Sequence, residues 1–266
     1  MKIVVLSHTG STGKSTIARE VFASRMPQPV THIEFENSNF GSYSLGTSDV
    51  KKMIPSEIDG AFVYDTNINN SVVLEIGASV INDALAEFHK RSNILSFADA
   101  FVIPVVVGDD KNTADTAKTL FSLSKLDVAP EKIRLFWNRF EESSEKKIDR
   151  QIDTIAGLVA KAKCGIETTE KILTKDYILP NFDVLADMLR LRMTSKEFEK
   201  PEYDYNELLK KLIAHKDDPK MAKSISNKID IASMATKLNE RCQFLYEKFT
   251  ADMAGAETAV NKTSQK

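Results

Sequence analysis

The amino-acid sequence predicts an α/β protein with a doubly wound, mainly parallel sheet, helices on both faces and a C-terminal helical extension. Two observations lead to this class. Short apolar runs of the kind found in buried parallel strands alternate with stretches of amphipathic helical pattern. Polar residues suited to ligand binding follow directly after several of these runs, which is where ligands bind in parallel sheets. From residue 201 onward the composition changes to charged helical segments.

The composition is that of an ordinary globular protein. With 266 residues, of which 42% are hydrophobic and 28% charged, the chain can bury one sizeable core in one or at most two domains. The formal net charge of -2 exerts no general attraction on nucleic acid, so DNA binding would need a local basic patch. The two cysteines, Cys164 and Cys242, lack metal-ligand spacing and predict neither a disulfide nor a zinc site.

The apolar runs are also too short for a membrane protein. None approaches the roughly 18 residues that a membrane-spanning helix needs. The sequence opens directly on a predicted strand, without the charged and apolar segments of a secretory signal. We therefore expect a cytoplasmic protein with no membrane contact.

The first apolar run, residues 3–6, leads into a loop of small and hydroxylated residues and then into a helix from Lys14. This order is the context of a phosphate-binding loop. Gly10 and Gly13 let backbone N–H groups turn inward around a polyphosphate, and the helix N-terminus adds partial positive charge. The Lys14 ammonium, expected to be exposed to the ligand, can reach the terminal phosphates, and Ser15 is placed to bind Mg²⁺. The predicted nucleotide contacts are Gly10, Ser11, Thr12, Gly13, Lys14, Ser15 and Thr16. An ordinary glycine turn is the alternative.

The loop, residues 9–15 (TGSTGKS), resembles the deviant phosphate loop K-G-G-x-G-K-[ST] of the ParA/MinD family of ATPases. Thr9 stands where that family has its first lysine, and Ser11 stands where it has its second glycine. The resemblance implies that the chain binds ATP and Mg²⁺. In the family, the first lysine reaches across a nucleotide-sandwich homodimer to the partner's phosphates. Thr9 cannot supply that contact.

Two carboxylates, Glu34 and Glu36, follow the apolar start of a second strand, residues 30–35. They are similar in place to the family's D-x-D-P-Q-x-N segment, in which an acidic residue orients the attacking water or the Mg²⁺ shell. Both aspartates are glutamates here, and the proline is absent. The alternative is that the two side chains are only the solvent-side positions of an alternating strand. After a loop at residues 41–46, a short helix is expected over residues 49–53, closed by Pro55.

A third strand, residues 71–76, places Glu75 near its end, before Gly77. The wording EIGAS is similar to the D-[VI]-G-A-S of the plasmid stability proteins called StbB, a ParA-like branch. In this family the acid holds a Mg²⁺-bound water, and the following loop senses the γ-phosphate. The resemblance therefore implies that Glu75, with Ser15, holds the metal. The alternative is a purely structural role, because a buried acid at a strand end still needs a partner.

The middle of the chain continues the pattern with helices at residues 82–91 and 112–126 and strands at residues 98–107 and 132–139. Pro104 is expected to mark the end of its strand. The strand at residues 132–139 ends in Asn138 and Arg139. In the resembled family this asparagine reads the adenine edge, because an amide both donates and accepts, and Arg139 would stack on the ring. The residues implied to act in catalysis are Lys14, Glu34, Glu36 and Glu75.

Further helices are predicted at residues 145–163, 183–192, 205–215 and 222–253, with a short strand at residues 177–182. The predicted division is a nucleotide-binding domain of residues 1–200, a helical extension of residues 201–253 and a disordered polar tail of residues 254–266. A lysine-dense stretch is either a solvated face or a weak DNA contact. Its lysines considered for DNA are Lys210, Lys211, Lys220 and Lys223.

The resemblance covers about the first 190 residues, with four degraded motifs in the family's order. It implies an ATP-binding protein, with slow hydrolysis to ADP and phosphate, that acts in plasmid stability, segregation or conjugative transfer. A nucleotide-dependent switch would then act on a plasmid-encoded protein partner. One alternative is a non-hydrolysing scaffold that binds nucleotide and a protein partner. The other is a small-molecule kinase or ligase, against which no arginine-rich lid follows the fourth strand.

Overall fold

A seven-stranded sheet forms the centre of the computed structural model, which describes residues 1–36, 50–58, 70–162 and 172–263. The strand order is β3-β2-β4-β1-β5-β6-β7, and every pairing is parallel. The strands are β1 (Lys2–Leu6), β2 (Val30–Phe35), β3 (Val50–Met53), β4 (Ser71–Ile76), β5 (Ala100–Val106), β6 (Ile133–Phe140) and β7 (Ile178–Pro180). The predicted α/β class with a parallel sheet is confirmed.

Helices connect these strands and cover both faces of the sheet. They are α1 (Lys14–Thr16), α2 (Ile81–Lys90), α3 (Ser92–Phe97), α4 (Asp110–Ser124), α5 (Glu145–Lys161), α6 (Val184–Leu191), α7 (Tyr205–Ala214) and α8 (Pro219–Thr263). α1 continues directly as a π-helical segment, Ile17–Ala23. The chain changes direction across the sheet at β1, which has β4 on one side and β5 on the other. Ligands bind at such switch points in open α/β sheets.

Two hydrophobic cores lie on opposite faces of the sheet because strand side chains alternate. In β1, Val4 and Leu6 belong to the core under α2, α4 and α5. Ile3 and Val5 belong to the core under the π-helical segment, α6 and α8. Burial on both faces explains why the strands read as continuous apolar runs and not as alternating ones.

The C-terminal helix α8 has 45 residues and is therefore about 67 Å long at 1.5 Å per residue. Its buried residues Leu238, Cys242, Leu245 and Phe249 follow helical spacing and belong to the second core. The Phe249 ring centroid lies 5.0 Å from that of Phe22, so α8 packs directly on the helix that follows the phosphate loop. The helix runs past residue 253, where the sequence predicted its end. The division at residue 200 stays a prediction.

The expected helix at residues 49–53 is wrong, because Val50–Met53 forms the edge strand β3. This strand pairs with β2 over four residues, and that non-local pairing overrides the local cap signals. Its central lysines are exposed, as is common on edge strands. Pro55 begins a separate 3₁₀ turn. The predicted loop at residues 41–46 lies outside the described residues.

Pro104 lies inside β5 and does not end it, contrary to the expectation from sequence. Its neighbour strand β1 pairs with β5 only as far as Val102. Beyond that residue, among the described residues, β5 is paired only with β6, so a residue without an N–H is tolerated.

The thiol of Cys242 is fully buried, and burial raises its pKa to about 12. It therefore stays protonated at neutral pH and acts as a small core residue. Cys164 lies outside the described residues. Within the part of the chain that the structure describes, no helix combines the length and apolarity needed to cross a bilayer.

Candidate functional site

A cleft of about 600 Å³ opens at the carboxyl ends of β1, β2 and β4. All seven predicted loop residues line it, together with three of the other predicted site residues. The lining residues are Gly10, Ser11, Thr12, Gly13, Lys14, Ser15, Thr16, Glu36, Glu75, Gly77, Ala78, Ser79 and Arg139. Glu34 and Asn138 are not part of the lining, although both lie close behind it.

The loop uses left-handed backbone at two positions. Gly13 has φ +88°, and a Cβ there would lie 2.0 Å from Asn138 Nδ2, so only glycine fits. Ser11 has φ +55°, where a residue with a side chain is strained. Ser11 stands at the position of a glycine in the resembled loop. This chain therefore uses left-handed backbone at that position although it has no glycine there.

Asn138 and Arg139, near the end of β6, form hydrogen bonds to the backbone of the loop. The Asn138 Nδ2 donates to the Thr12 carbonyl at 2.8 Å, and Asn138 Oδ1 accepts from the Arg139 N–H at 2.9 Å. The Arg139 guanidinium donates to the Ser11 carbonyl at 3.0 Å. Asn138 is buried, and both ends of its amide are used within the protein. Its predicted adenine contact stays a prediction, and it would require these hydrogen bonds to exchange.

The Lys14 side chain is buried, which differs from the expected exposed ammonium. Its Nζ folds back and donates to the carbonyl of Thr9 at 2.9 Å. Burial lowers the pKa of Lys14, and the nearby carboxylates of Glu75 and Glu36 oppose that shift. A cation whose charged form is disfavoured by burial gains from an anion in the same cleft. The loop is therefore set up to receive a negatively charged group.

His8 and Thr9, at the start of the loop, form hydrogen bonds to α4. Thr9 Oγ1 donates to Asp115 Oδ2 at 2.5 Å, and His8 Nδ1 lies 2.9 Å from Thr119 Oγ1. Burial, and next the positive charge of Lys118, lower the pKa of His8. The position that carries a lysine in the resembled family thus carries a hydroxyl bound to a carboxylate. Sequence reasoning missed Asp115 because it lies 106 residues from Thr9.

The acidic side of the cleft is built on β2 and β4. Glu75 is buried, and its Oε1 accepts from Ser15 Oγ at 2.5 Å. Glu34 lies beside Glu75 in the β2–β4 register and is also buried. His32 Nε2 lies 3.7 Å from Glu75 Oε2. Sequence reasoning missed His32, although its two-residue spacing from Glu34 places both on one face of β2.

The oxygen donors at this point fit Mg²⁺. Ser15 Oγ and the Glu75 carboxylate are hard oxygen ligands on the cleft wall. Mg²⁺ commonly takes one or two protein ligands and completes its shell with water and phosphate oxygens. No cluster of three or more His, Cys, Asp or Glu able to hold a metal occurs among the described residues. Of the described residues, Ser15 and Glu75 would therefore supply two ligands here, and nucleotide and water oxygens could complete the shell.

A buried network joins the helix after the loop to the C-terminal part of the chain. Glu20 is fully buried, and its Oε2 accepts from the Ser195 N–H at 2.9 Å and from Ser195 Oγ at 2.7 Å. Its Oε1 accepts from Arg19 Nε at 2.8 Å. Arg25 donates to the Glu20 carbonyl and to Asn239 on α8. Two C-terminal segments, Ser195–Glu199 and α8, are thus fastened to the phosphate-loop helix.

The four lysines considered for DNA flank the turn between α7 and α8, and all are exposed. Lys210 and Lys211 lie in the last turns of α7, and Lys220 and Lys223 lie at the start of α8. Lys210 Nζ pairs with Glu207 Oε1 at 2.7 Å. Their contact with DNA stays a prediction.

Comparison with known proteins finds similar solved structures at low sequence identity. The MinC:MinD cell division protein complex of Aquifex aeolicus aligns with a TM-score of 0.44 and 14% identity, over 72% of this chain and 86% of that chain. A plasmid partition protein of Borrelia burgdorferi bound to AMPPNP gives 0.43 and 13%, over 86% and 97%. The ATP complex of a Cyanothece McdA variant gives 0.39 and 15%, over 86% and 96%. No family model and no curated protein matches the sequence.

Proposed function

We propose that this chain is a ParA-like protein that binds ATP with Mg²⁺ in the cleft at residues 10–16. The observation that carries the proposal is the composition of the cleft wall. One side is a glycine-containing loop at a helix start with a buried lysine, and the other is a serine bonded to a carboxylate. Loop backbone and helix start suit phosphate oxygens, and serine with carboxylate suits Mg²⁺.

Each residue of the candidate site would have its own role in binding Mg²⁺–ATP. Lys14 would leave the Thr9 carbonyl for the terminal phosphates, an exchange of a neutral acceptor for a charged one. Ser15 and Glu75 would hold Mg²⁺, which when bound neutralises phosphate charge. Glu36 lines the cleft and could orient the attacking water. Glu34 is buried beside Glu75 and would influence the reaction through that carboxylate. Asn138 and Arg139 remain the proposed contacts to adenine.

The finer proposal is a switch protein of the StbB type that acts in plasmid stability, segregation or conjugative transfer. Residues 75–79 (EIGAS) support this subfamily. The proposed partners are a second copy of the chain and a plasmid-encoded protein, with weak DNA contact through the lysines that flank the α7–α8 turn. The proposed location is the cytoplasm.

Two features of the structure support a switch. Gly77, which lines the cleft, donates its N–H to the Phe35 carbonyl at 2.8 Å, so the loop after β4 is coupled to the end of β2. A nucleotide that moves this loop would therefore also move Glu36. On the other side, Glu20 is bonded to Ser195 and Arg25 to Asn239 on α8, so a shift of the phosphate-loop helix would act on both C-terminal segments. Coupling of this kind requires a structural element with two arrangements, whose equilibrium is shifted both by the nucleotide and by the partner.

We expect the wild-type protein to bind ATP and to hydrolyse it very slowly or undetectably. Binding draws on the loop backbone, Lys14 and Mg²⁺, all of which the chain supports. Catalysis lacks the cation that Thr9 replaces, and one such donor is worth roughly 3 kcal/mol, or about a hundredfold in rate. The test combines titration of a fluorescent ATP analogue, with and without Mg²⁺, with a phosphate-release assay. Brisk turnover by the wild-type monomer would refute this account.

The role of Thr9 is tested by sedimentation velocity at matched ATP concentration. Thr9→Lys is expected to raise ATP-dependent dimerisation. Asp115 accepts a hydrogen bond from Thr9 in the structure. Its carboxylate would therefore form an ion pair with the new ammonium in the same chain and compete with the contact to the second copy. The double variant with Asp115→Asn is therefore expected to dimerise more than Thr9→Lys alone, and Asp115→Asn alone serves as the control.

The non-hydrolysing scaffold is the second candidate, and the bond between Thr9 and Asp115 favours it. Through this bond Thr9, which stands where the resembled family has a lysine, would have a structural role and none in catalysis. ATP binding with no phosphate release, in the protein alone and in the presence of its partner, would select the scaffold over the slow ATPase.

A further inference from the structure

His32 is a buried polar side chain on β2, next to the acidic side of the cleft. The residue is 4% exposed, and neither ring nitrogen forms a hydrogen bond to the residues that the structure describes. An unsatisfied buried polar group costs about 1–3 kcal/mol, so an apolar side chain would fill this place at lower cost. Packing alone therefore does not account for a histidine here.

The carboxylate of Glu75 lies close to the ring. Nε2 of His32 lies 3.7 Å from Oε2, while the other carboxylate oxygen, Oε1, is bound by Ser15. The two residues come from adjacent parallel strands, in which His32 pairs with Val73 and Glu34 pairs with Glu75. Paired residues, and residues two apart on a strand, share a face of the sheet, so the ring and the carboxylate are diagonal neighbours on one face.

A glutamate at this position needs restraint. It has one more rotatable bond than the aspartate of the resembled motif, so its carboxylate can take more positions. Ser15 restrains one oxygen, but Ser15 is itself a candidate Mg²⁺ ligand. His32 is the group placed to restrain the other oxygen, and it projects from β2, which is paired with a strand on each side. Sites built on strands hold their geometry better than sites built on loops.

We propose that His32 is a positioning residue for Glu75, which it holds in the orientation needed for Mg²⁺–ATP. This proposal rests on the proposed function and assigns to His32 no contact with metal or nucleotide. Groups that orient a metal ligand typically change metal affinity tenfold to a hundredfold when they are removed. The expected consequence is a change in the Mg²⁺ requirement for ATP binding, and not in ATP binding without metal.

The test compares His32→Leu, His32→Gln and a surface control, His89→Ala, with the wild type. His32→Leu keeps an apolar volume and so avoids a cavity, while His32→Gln keeps an N–H donor. ATP affinity is measured in EDTA and across a Mg²⁺ titration, with folding checked by the fluorescence of Trp137, the one tryptophan in the sequence. We expect His32→Leu to raise the half-saturating Mg²⁺ concentration about tenfold or more. Affinity in EDTA should stay unchanged, and His32→Gln should recover part of the loss.

The outcomes separate the two proposals. An unchanged Mg²⁺ midpoint in folded His32→Leu overturns the positioning role alone, and so does an equal loss in EDTA and in Mg²⁺. If His32→Leu does not fold, an unchanged midpoint in His32→Ala overturns it equally. Absence of ATP binding by the wild type at every Mg²⁺ concentration overturns the proposed function, and the role of His32 with it.

Discussion

Glu20→Ala is expected to lower the free energy of unfolding by about 4 kcal/mol, because breaking a buried ion pair by removing one partner typically costs 3–5 kcal/mol. The carboxylate is fully buried and accepts from Arg19 and from the backbone and hydroxyl of Ser195. Its loss leaves the Arg19 guanidinium buried without its anion. It also removes the two hydrogen bonds that join Ser195 to the helix that follows the phosphate loop.

The measurement is urea unfolding followed by the fluorescence of Trp137, which is fully buried and has its indole N–H bonded to the Thr174 carbonyl. Glu247→Ala, on the exposed face of α8, is the matched control and should leave the midpoint unchanged. Glu20→Gln keeps the volume but loses the charge, so its unfolding midpoint should fall between those of Glu20→Ala and the wild type. Equal midpoints for Glu20→Ala and the wild type would show that the network does not hold the C-terminal segments.

Gly13→Ala is expected to destabilise the protein by about 3 kcal/mol and to abolish ATP binding. The left-handed backbone at φ +88° costs an alanine about 1–2 kcal/mol, and overpacking adds about 1–3 kcal/mol. The new Cβ would meet the Asn138 amide, which supports the Thr12 carbonyl. The loop would therefore lose the shape that presents its N–H groups to phosphate.

Gly10→Ala is the matched control for this loop, since a Cβ at Gly10 meets nothing within 4 Å. It should unfold at the same urea concentration as the wild type. If Gly13→Ala is as stable as Gly10→Ala and still binds ATP, the loop does not depend on the glycine at position 13.

The fold could be predicted from the sequence because its signals are local. β1, its loop and the helix after it are contiguous, and double-sided burial gives each central strand an apolar run. β3 could not be predicted, because four residues with two lysines form a strand only when β2 is beside them. A short edge strand is defined by its neighbour more than by its own pattern.

The candidate site was predictable to the same extent. Residues 10–16 come shortly after β1, and Glu75 is the last residue but one of β4, so the sequence places them at one edge of the sheet. Two partnerships were not predictable. Thr9 meets Asp115 across 106 residues, and Glu20 meets Ser195 across 175 residues. Such contacts depend on how helices pack, which residue spacing along the chain does not encode.

The place of Asn138 shows a second limit. The sequence puts it at a strand end facing the ligand edge, and the structure confirms the strand. Residue type and position alone cannot say whether an amide points at a base or at the protein backbone. In the structure it bonds to Thr12 and to Arg139.

The most direct test of the central claim is isothermal titration of ATP with Mg²⁺ into three proteins: the wild type, Lys14→Ala and Lys118→Ala. Lys118 is exposed on α4 close to the loop but outside the cleft wall, so its variant controls for a general loss of positive charge. We predict binding by the wild type and by Lys118→Ala, and an affinity lowered about a hundredfold in folded Lys14→Ala, or roughly 3 kcal/mol for a charged contact. Equal affinity in folded Lys14→Ala and wild type would contradict the phosphate-loop account.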